Sequence, residues 1–339
     1  MCYAYLDDVD SSMLEPSCQP EFFSHFQSEP GTFGDRETFN DGWTSVFYPI
    51  AGPLERSEWF KRGWTLQELL APIYLTFYDK HWNLIATRSQ LASMISSITG
   101  ISMGVLLQND PVHGVTVAQR MSWAAGRKTT RPEDRAYSLF GIFDVNMPML
   151  YGEGTQAFRR LQEEILRSFG DYSLFCWEPQ SEVASAFRDI FAISPDDFRS
   201  DVDTLEVGLL QTDRSAPLFS SRGLEITLPI VQLIGSRGIR LGLLDVAGHD
   251  SEGNFIYALR LYEAGSQPKT GLRAYLSKDH PRARLTQPSS ETSGNVYQAA
   301  VPRLQRIRPL ELNEQIQVKT ILIQRRITEF FEGGVLTHN

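Results

Sequence analysis

The hydrophobic and polar positions of the chain follow two different periods, and the change comes about halfway along it. In the first half, apolar residues recur mainly every three or four positions, which is typical of helices that bury one face. In the second half, apolar and polar residues alternate, as in Leu224, Ile226 and Leu228. Such alternation, interrupted by Gly, Pro, Asp and Ser, predicts antiparallel strands. We therefore expect a β-rich antiparallel domain over 181–339, either a sandwich or an open barrel.

The first half combines short apolar runs with helical patterns and one long polar stretch. The predicted elements are strands at 2–7 and 73–78, a long loop at 9–45, and helices at 57–71, at 88–98 and within 117–169. Strands that alternate with helices favour an α/β fold. The sequence thus predicts an α/β region over 1–110 and a helical segment over 111–180, ahead of the β-rich domain.

The segment SEWFKRGWTLQELLAP, which begins at Ser57, predicts one helix over 57–71. Phe60, Trp64 and Glu68 recur every four residues in it, so they would share a face. Because apolar residues cover more than half of its circumference, we expect this helix to be largely buried, with Trp64 in the core. A buried glutamate is costly unless it is paired or used.

Two interpretations of Glu68 follow from this pattern. It could lie at the rim of the helix and pair with Arg62 or Lys61, since glutamate is rarely fully buried. It could instead line the edge of a cavity and take part in chemistry. Trp64 has the same two interpretations, a core side chain or the wall of a pocket.

A second block, AQRMSWAAGRKTTRPEDRAYSLFGIF, is rich in arginine and aromatic residues. Thr130 and Glu133 have the spacing of a helix capping box. The basic residues could contact an anion or a nucleotide. The pattern favours the other interpretation, in which buried arginine–carboxylate pairs join helices and the aromatic residues lie in the core. The residues assigned to this structural motif are Arg120, Trp123, Arg127, Arg131, Asp134 and Tyr137.

Composition narrows the function classes. A formal charge of −9 argues against a general nucleic-acid binder. No apolar run approaches the roughly 20 residues that span a bilayer, and the N-terminus does not look like a signal peptide. Cys2, Cys18 and Cys176 form neither a disulfide framework nor a zinc site, and the histidines lack metal-ligand spacing. We expect a cytoplasmic protein with no nucleic acid, membrane span, metal or resident cofactor.

These motifs resemble a known family. SEWFKRGWTLQELLAP, followed by FYDKHWNLIATRSQL, resembles the second half of the fungal heterokaryon-incompatibility (HET) domain. The arginine-rich block and the sequence NMPMLYGEGTQAFRRLQEEI resemble the segment that follows that domain, so the resemblance covers roughly 1–180. It implies a cytosolic trigger of regulated cell death upon fusion of different fungal cells, acting through protein partners or self-association.

The HET domain is distantly similar to TIR domains, which have a flavodoxin-like α/β core. Many TIR domains cleave NAD or make nucleotide signals with a glutamate in a Trp-Cys-Leu-x-Glu-Leu motif. The sequence WTLQEL keeps the Trp, Leu, Glu and Leu, while Thr65 replaces the cysteine and Arg62 replaces an upstream serine. The resemblance implies that Glu68 is catalytic, that Trp64 contacts the nucleotide and that NAD is a substrate.

The chain departs from the family pattern at its start. HET domains begin with motifs like ILSHTWG and VDTCCID, and CYAYLDDV matches the strand that follows them. We expect a partial α/β core with an incomplete ligand crevice, hence no NAD cleavage by the chain as given. The leading hypothesis is a signalling module of heterokaryon incompatibility, as a truncated copy. The alternatives are NAD or nucleotide N-glycoside hydrolysis through Glu68, and a non-catalytic scaffold that binds a regulatory partner.

Overall fold

The computed structural model of the chain describes residues in both halves of the sequence. The described residues are 2–11, 52–178, 190–198, 205–207, 216–220, 223–232, 239–250, 253–263, 296–299, 305–307 and 317–324. The loop predicted at 9–45 lies outside them except for its first three residues, and Cys18 lies outside them as well.

The chain divides into two compact units. Unit 1 consists of Met1–Val115 and Arg120–Ala157, and unit 2 consists of Thr116–Gln119 and Phe158–Asn339. The three-part division made from the sequence stays a prediction.

Helices dominate the described part up to residue 198, and strands dominate the part beyond it. Residues 52–56 are helical, and the α-helices with both ends described are α1 Thr65–Leu70, α2 Ala92–Thr99, α3 Met103–Leu106, α4 Val117–Ser122, α5 Asp134–Tyr137, α6 Phe140–Phe143 and α7 Gln156–Phe169; 3₁₀ helices are Glu58–Lys61, Val112–Gly114, Tyr172–Phe175 and Pro195–Phe198. The strands are β1 Cys2–Tyr5, β2 Leu75–Tyr78, β3 Leu84–Thr87, β4 Glu206–Val207, β5 Leu218–Ser220, β6 Gly223–Gln232, β7 Ile239–Asp250, β8 Gly253–Glu263, β9 Val296–Ala299, β10 Gln305–Ile307 and β11 Gln317–Gln324.

Unit 1 contains a small mixed sheet with the order β1-β2-β3. β1 and β2 are parallel, and β2 and β3 are antiparallel. Because strand side chains alternate, Ala4 and Phe77 lie on a buried face, whereas Tyr3 is exposed on the other. Trp59 packs on Phe77 edge to face, with 5.5 Å between ring centroids. Helix α1 lies in the connection between the two parallel strands, which confirms the α/β prediction at the level of the fold class.

The single helix predicted over 57–71 is wrong. The structure has a 3₁₀ helix at Glu58–Lys61 and then α1, and Arg62 between them is extended, with φ −81° and ψ 140°. This extended residue pairs with Lys128 in an isolated parallel bridge. The interruption means that the residues spaced four apart in the sequence do not lie along one helix face.

The predicted burial of Trp64 is also wrong. Trp64 precedes α1 and is 40% exposed, whereas Trp59 and Phe60 are 6% and 5% exposed. Glu68 is exposed as well. The aromatic core therefore forms around the 3₁₀ helix, and the side of α1 that carries Glu68 faces solvent.

Unit 2 contains the β-rich region that the alternating pattern predicts. Leu224, Ile226 and Leu228 are buried on one face of β6. All strand pairs of this sheet are antiparallel except β9 with β11. Five strands pair in a closed ring, in the order β8-β9-β11-β6-β7 and back to β8. A closed ring satisfies the hydrogen-bonding edges of each of its five members.

Candidate functional site

The segment 62–70 is fixed to the rest of unit 1 through a buried arginine. The guanidinium of Arg127 donates from Nη1 to the Arg62 carbonyl oxygen at 3.0 Å and to Thr65 Oγ1 at 3.2 Å. Its Nε donates to the carbonyl oxygen of Trp123 at 2.9 Å. Arg127 is 4% exposed, and burial lowers its pKa to about 10. It is therefore a buried cation whose hydrogen-bond acceptors are all neutral.

Close backbone approaches explain other residues of the same segment. A Cβ atom at Gly63 would lie 2.5 Å from Thr129 Cγ2, so only glycine fits there without a shift. Gln67 Nε2 donates to the carbonyl oxygen of Ser138 at 2.5 Å. A Cβ atom at Gly141 would lie 3.2 Å from Gln67 Oε1. Three of the distinctive residues in RGWTLQE, the glycine, threonine and glutamine, thus serve the fold.

Leu66 is buried, and the other three residues of RGWTLQE, Arg62, Trp64 and Glu68, are exposed. The exposure of Glu68 agrees with a position at the rim, but among the residues that the structure describes it pairs with neither Arg62 nor Lys61, so the predicted pair is wrong. Lys61 instead pairs with Glu58, with 2.8 Å between Nζ and Oε1. Trp64 and Glu68 were predicted from the sequence to be site residues. In the structure both side chains are exposed, and they lie on one turn at the start of α1.

The described residues do not enclose Glu68 with the aromatic side chains of the same segment. Phe60 packs on Trp59 and Phe77 instead, with ring centroids 5.1 Å and 6.1 Å away. An exposed carboxylate acts through water of high dielectric, which weakens its effect on a nearby developing charge. The described residues around Glu68 therefore supply a binding surface more readily than a catalytic pocket.

The arginine-rich block is built mainly into the core. Arg120 is 3% exposed, donates from Nη1 to the carbonyl oxygen of Ile142 at 3.0 Å, and lies over the Phe143 ring at 4.7 Å. Trp123, three residues later in the sequence, is also buried. The interpretation that these residues join the helices agrees with this placement. The prediction of a carboxylate partner is wrong for Arg127, because its hydrogen-bond acceptors are carbonyl and hydroxyl oxygens.

Glu133 holds a glycine-rich turn instead of closing a capping box. Its Oε1 accepts from the backbone N–H groups of Gly152 at 2.8 Å and Gly154 at 3.0 Å. Its own backbone N–H and those of Gly154 and Gly152 lower the pKa of this carboxyl group. The box predicted with Thr130 is wrong, because α5 begins one residue after Glu133 and the carboxylate is engaged elsewhere.

Further side chains of the same motif fix that turn. Tyr137 is buried, and its hydroxyl donates to Glu153 Oε1 at 2.9 Å. The hydroxyl of Tyr151 donates to Asp134 Oδ1 at 3.0 Å, and the Arg131 guanidinium lies 4.6 Å from the Tyr151 ring centroid. Through these contacts, Arg131, Asp134 and Tyr137 stabilise the turn within unit 1.

A polar centre at the end of β2 was not predicted from the sequence. Asp79 is fully buried and accepts hydrogen bonds from Ser11, His81 and Asn83. Burial alone would raise the pKa of Asp79, but the hydrogen bonds from Ser11 and Asn83 outweigh it and lower the pKa to about 2. The available signal was an aspartate directly after an apolar strand, where parallel strands end together. Its acceptor capacity is taken up by the chain itself.

Metal and thiol chemistry find little support in the described ranges. Within them, no group of three or more His, Cys, Asp or Glu side chains is placed to hold a metal ion. Cys176 is buried, which raises the pKa of its thiol and makes it a poor nucleophile. In the same ranges, no helix is both long and apolar enough to cross a bilayer.

Comparison with known proteins gives one strong similarity. Over 170 residues, the chain is 37% identical to vegetative incompatibility protein HET-E-1 of Podospora anserina, and the match covers 50% of this chain and 10% of that protein. Residues 156–204 match a family described as a domain of unknown function, DUF8212. No solved structure matches the chain. The match spans about a tenth of the length of the relative, so half of this chain is similar to one part of a fungal incompatibility protein.

Proposed function

We propose that this chain is a signalling module of fungal heterokaryon incompatibility that triggers regulated cell death. The observation that carries this proposal is the 37% identity over 170 residues to a vegetative incompatibility protein. Action in the cytoplasm and signalling through a protein partner or self-association are parts of the same proposal. So is a TIR-like core, of which β1, α1 and β2 would be a portion.

The structure supports the proposal through the residues that the fold does not use. In RGWTLQE, the buried Thr65 donates to the carbonyl oxygen of Trp59 and the half-buried Gln67 to that of Ser138, whereas Trp64 and Glu68 are exposed. Exposed tryptophan is enriched among residues that dominate binding energy at interfaces. We infer that Trp64 and Glu68 act outwards, on a partner or ligand.

Expression in fungal cells tests this role. We expect the parent chain to reduce cell survival, and Trp64→Ala to restore survival at an equal level of soluble protein. Glu58→Gln is the matched control, because Glu58 is an exposed glutamate engaged by Lys61 on the same segment. Full survival of cells that accumulate the parent chain would contradict the signalling role.

The second candidate is N-glycoside hydrolysis of NAD or another nucleotide through Glu68. The favouring observation is that Glu68 is one helical turn from Trp64 and makes no ion pair among the described residues. A carboxylate there could stabilise the positive charge that builds on ribose as the glycosidic bond breaks. The exposure of Glu68 weighs against it, because such stabilisation is strongest where water is excluded.

Nicotinamide release from NAD separates the two candidates. The incomplete crevice predicts no release by the parent chain; hydrolysis would require measurable release that disappears in Glu68→Gln, which keeps the shape and removes the charge. For signalling by binding, release stays at background while Trp64→Ala still restores survival. A Glu68→Gln variant that kills cells as well as the parent does would remove the catalytic candidate and leave the scaffold.

A further inference from the structure

We propose that the outer face of the β1-β2-β3 sheet docks an amphipathic helix of a partner protein, one that carries lysine or arginine beside its apolar stripe. This inference goes beyond the proposed function, because it assigns a surface and a partner chemistry that involve neither Trp64 nor Glu68. It rests on a row of aromatic side chains, on the turn that positions one of them, and on the charge beside the row.

The outer face of the sheet carries aromatic side chains in mutual contact. Tyr5 and Trp82 stack with 4.8 Å between ring centroids, and they are 39% and 63% exposed. Tyr78 lies 5.9 Å from Trp82 and meets Tyr3 edge to face at 5.6 Å. Leu84, which pairs with Tyr78 across the sheet, extends this aromatic row and is exposed. Contiguous exposed apolar surface of this kind marks an interaction site.

The backbone holds Trp82 on this face at a conformational cost. Its φ is 63°, in the left-handed region that bulky side chains rarely adopt. The buried carboxylate of Asp79 fixes the turn, because it accepts from the backbone N–H groups on either side of Trp82, each at 2.8 Å. The hydroxyl of Tyr5 donates to the carbonyl oxygen of Lys80 at 2.9 Å and joins the turn to β1. A strained turn that is fixed around an exposed indole indicates a use for that indole outside the fold.

The outer face also leaves a parallel strand pair open. Parallel strands occur almost only where both faces of the sheet are covered, usually by helices. In unit 1, Trp59 packs on Phe77 and covers one face of β1 and β2. The opposite face exposes the aromatic row, so the described part of the chain does not complete this layer. A helix with an apolar stripe is the element that covers such a sheet in α/β proteins.

An acidic segment lies beside the aromatic row. Residues 7–10 follow β1 and include three aspartates. The backbone keeps them next to the turn that carries the exposed indole, since Lys80 N donates to the carbonyl oxygen of Val9 at 3.0 Å. Asp10 pairs with Lys80, with 2.8 Å between Oδ2 and Nζ. Asp7 is exposed and makes no hydrogen bond or ion pair within the described part of the chain. The row therefore has uncompensated negative charge at this end.

This charge favours a cationic partner over a second copy of the chain. Another copy would bring the same acidic segment, on a chain whose formal charge is −9, and like charges across an interface are unfavourable. A lysine or arginine of the partner can instead pair with Asp7. It can also lie over the exposed ring of Trp82, because the face of an indole attracts a cation. The apolar stripe would cover the row while the basic flank fixes the orientation of the helix.

Fluorescence anisotropy with a labelled helical peptide tests this surface on the full chain. The probe is a peptide of about five turns with a leucine stripe flanked by lysines, and the matched probe has glutamate in place of each lysine. We expect the parent chain to bind the lysine probe, less tightly as salt is raised, and not to bind the glutamate probe. Trp82→Asn, which tolerates the left-handed backbone, should weaken binding about tenfold or more, whereas Trp82→Phe should largely keep it.

A second variant tests the charge. Asp7→Asn should weaken binding about threefold and reduce its dependence on salt, as expected for one exposed charge at the edge of an interface. Met149→Ala and Asp144→Asn are the matched controls and should bind like the parent, because both residues are exposed and lie outside the sheet. Since Asp7 is exposed, this variant still decides the question if Trp82→Asn fails to fold.

Several results would overturn the proposal. They are no binding of the lysine probe by the folded parent chain, equal affinity for the two probes, unchanged affinity in both Trp82→Asn and Asp7→Asn, and an equal loss in Asp144→Asn, which would indicate diffuse attraction. A dimer of the parent chain in sedimentation that is lost in Trp82→Asn, without probe binding, would assign the face to a second copy instead. Thermal unfolding checks that each variant is folded. Probe binding without cell death would contradict the signalling role alone.

Discussion

Two segments of unit 1 contain similar residues and use them in opposite ways. In 131–154, the carboxylate of Glu133 and the hydroxyl of Tyr137 bind within the segment itself. In 62–70, the exposed side chains of Trp64 and Glu68 make no polar contact with the described chain. The first segment is a structural motif, because its chemistry is consumed by the fold. The second keeps chemistry that the fold does not need, and such residues are where a function should be sought.

The largest expected effect compares two tryptophans five residues apart. Trp59→Ala should lower the free energy of unfolding by about 3–5 kcal/mol, because it opens a cavity beside Phe60 and Phe77. Trp64→Ala should lower it much less, by about 1 kcal/mol, since Trp64 is 40% exposed. Urea unfolding followed by circular dichroism measures both. A large loss of stability in Trp64→Ala would break the comparison by showing that the fold depends on Trp64.

An intermediate effect is expected at Asp79. Its pKa is about 2 in the folded chain, against an ordinary value of 3.8, so the folded state holds the ionised form. The corresponding stability, about 2 kcal/mol, is present above about pH 4 and is lost as the pH falls through the folded pKa. Asp79→Asn should lower the free energy of unfolding at pH 7 by a similar amount. It should also make the free energy of unfolding depend less on pH below about pH 4.

Asp7→Asn is the control for this prediction, because Asp7 is an exposed aspartate close to the end of β1. Thermal unfolding at a series of pH values from 7 down to 2.5 provides the measurement. If the parent chain and Asp79→Asn lose stability in parallel as the pH falls, then Asp79 does not account for the acid dependence.

The smallest expected effect compares the two glutamates. Glu133→Gln should lower the midpoint of thermal unfolding, because one amide oxygen without charge is a weaker acceptor for the N–H groups of Gly152 and Gly154. It should also speed hydrogen exchange at Gly152. Glu68→Gln should change neither quantity. A shared drop in both variants would mean that Glu68 also has a structural partner.

The alternating pattern was sufficient to predict a β-rich region in unit 2, as β6 illustrates. Leu224, Ile226 and Leu228 alternate with polar neighbours and lie buried on β6. The helix predicted at 88–98 likewise overlaps α2 at Ala92–Thr99, and α7 lies within the predicted helical range 117–169. These predictions succeeded because the buried face of a strand or helix is marked by apolar residues that recur at a fixed spacing within a short stretch of sequence.

The predictions around Trp64 failed because distant residues decide the local structure there. Lys128 pairs with Arg62 and interrupts the helix, and Thr129 requires glycine at residue 63. Neither contact leaves a periodic signal in 57–71. The burial of Arg127 without a carboxylate could not be predicted either. Every residue has a backbone carbonyl oxygen, so the sequence does not show which of them accept from Arg127. The residues of the candidate site could be named from motifs, but their exposure could not.

The closed ring of unit 2 has a consequence for synthesis of the chain. β6 at Gly223–Gln232 pairs along its length with β11 at Gln317–Gln324, so strands some ninety positions apart must meet. Joining distant strands carries a loop-closure cost and slows folding. On the ribosome, this ring stays open until β11 has left the exit tunnel, whereas β1, β2 and β3 can pair once residue 87 has emerged. Until β11 emerges, the apolar faces of β6, β7 and β8 lack this closing partner, and such transiently exposed surface is prone to aggregation.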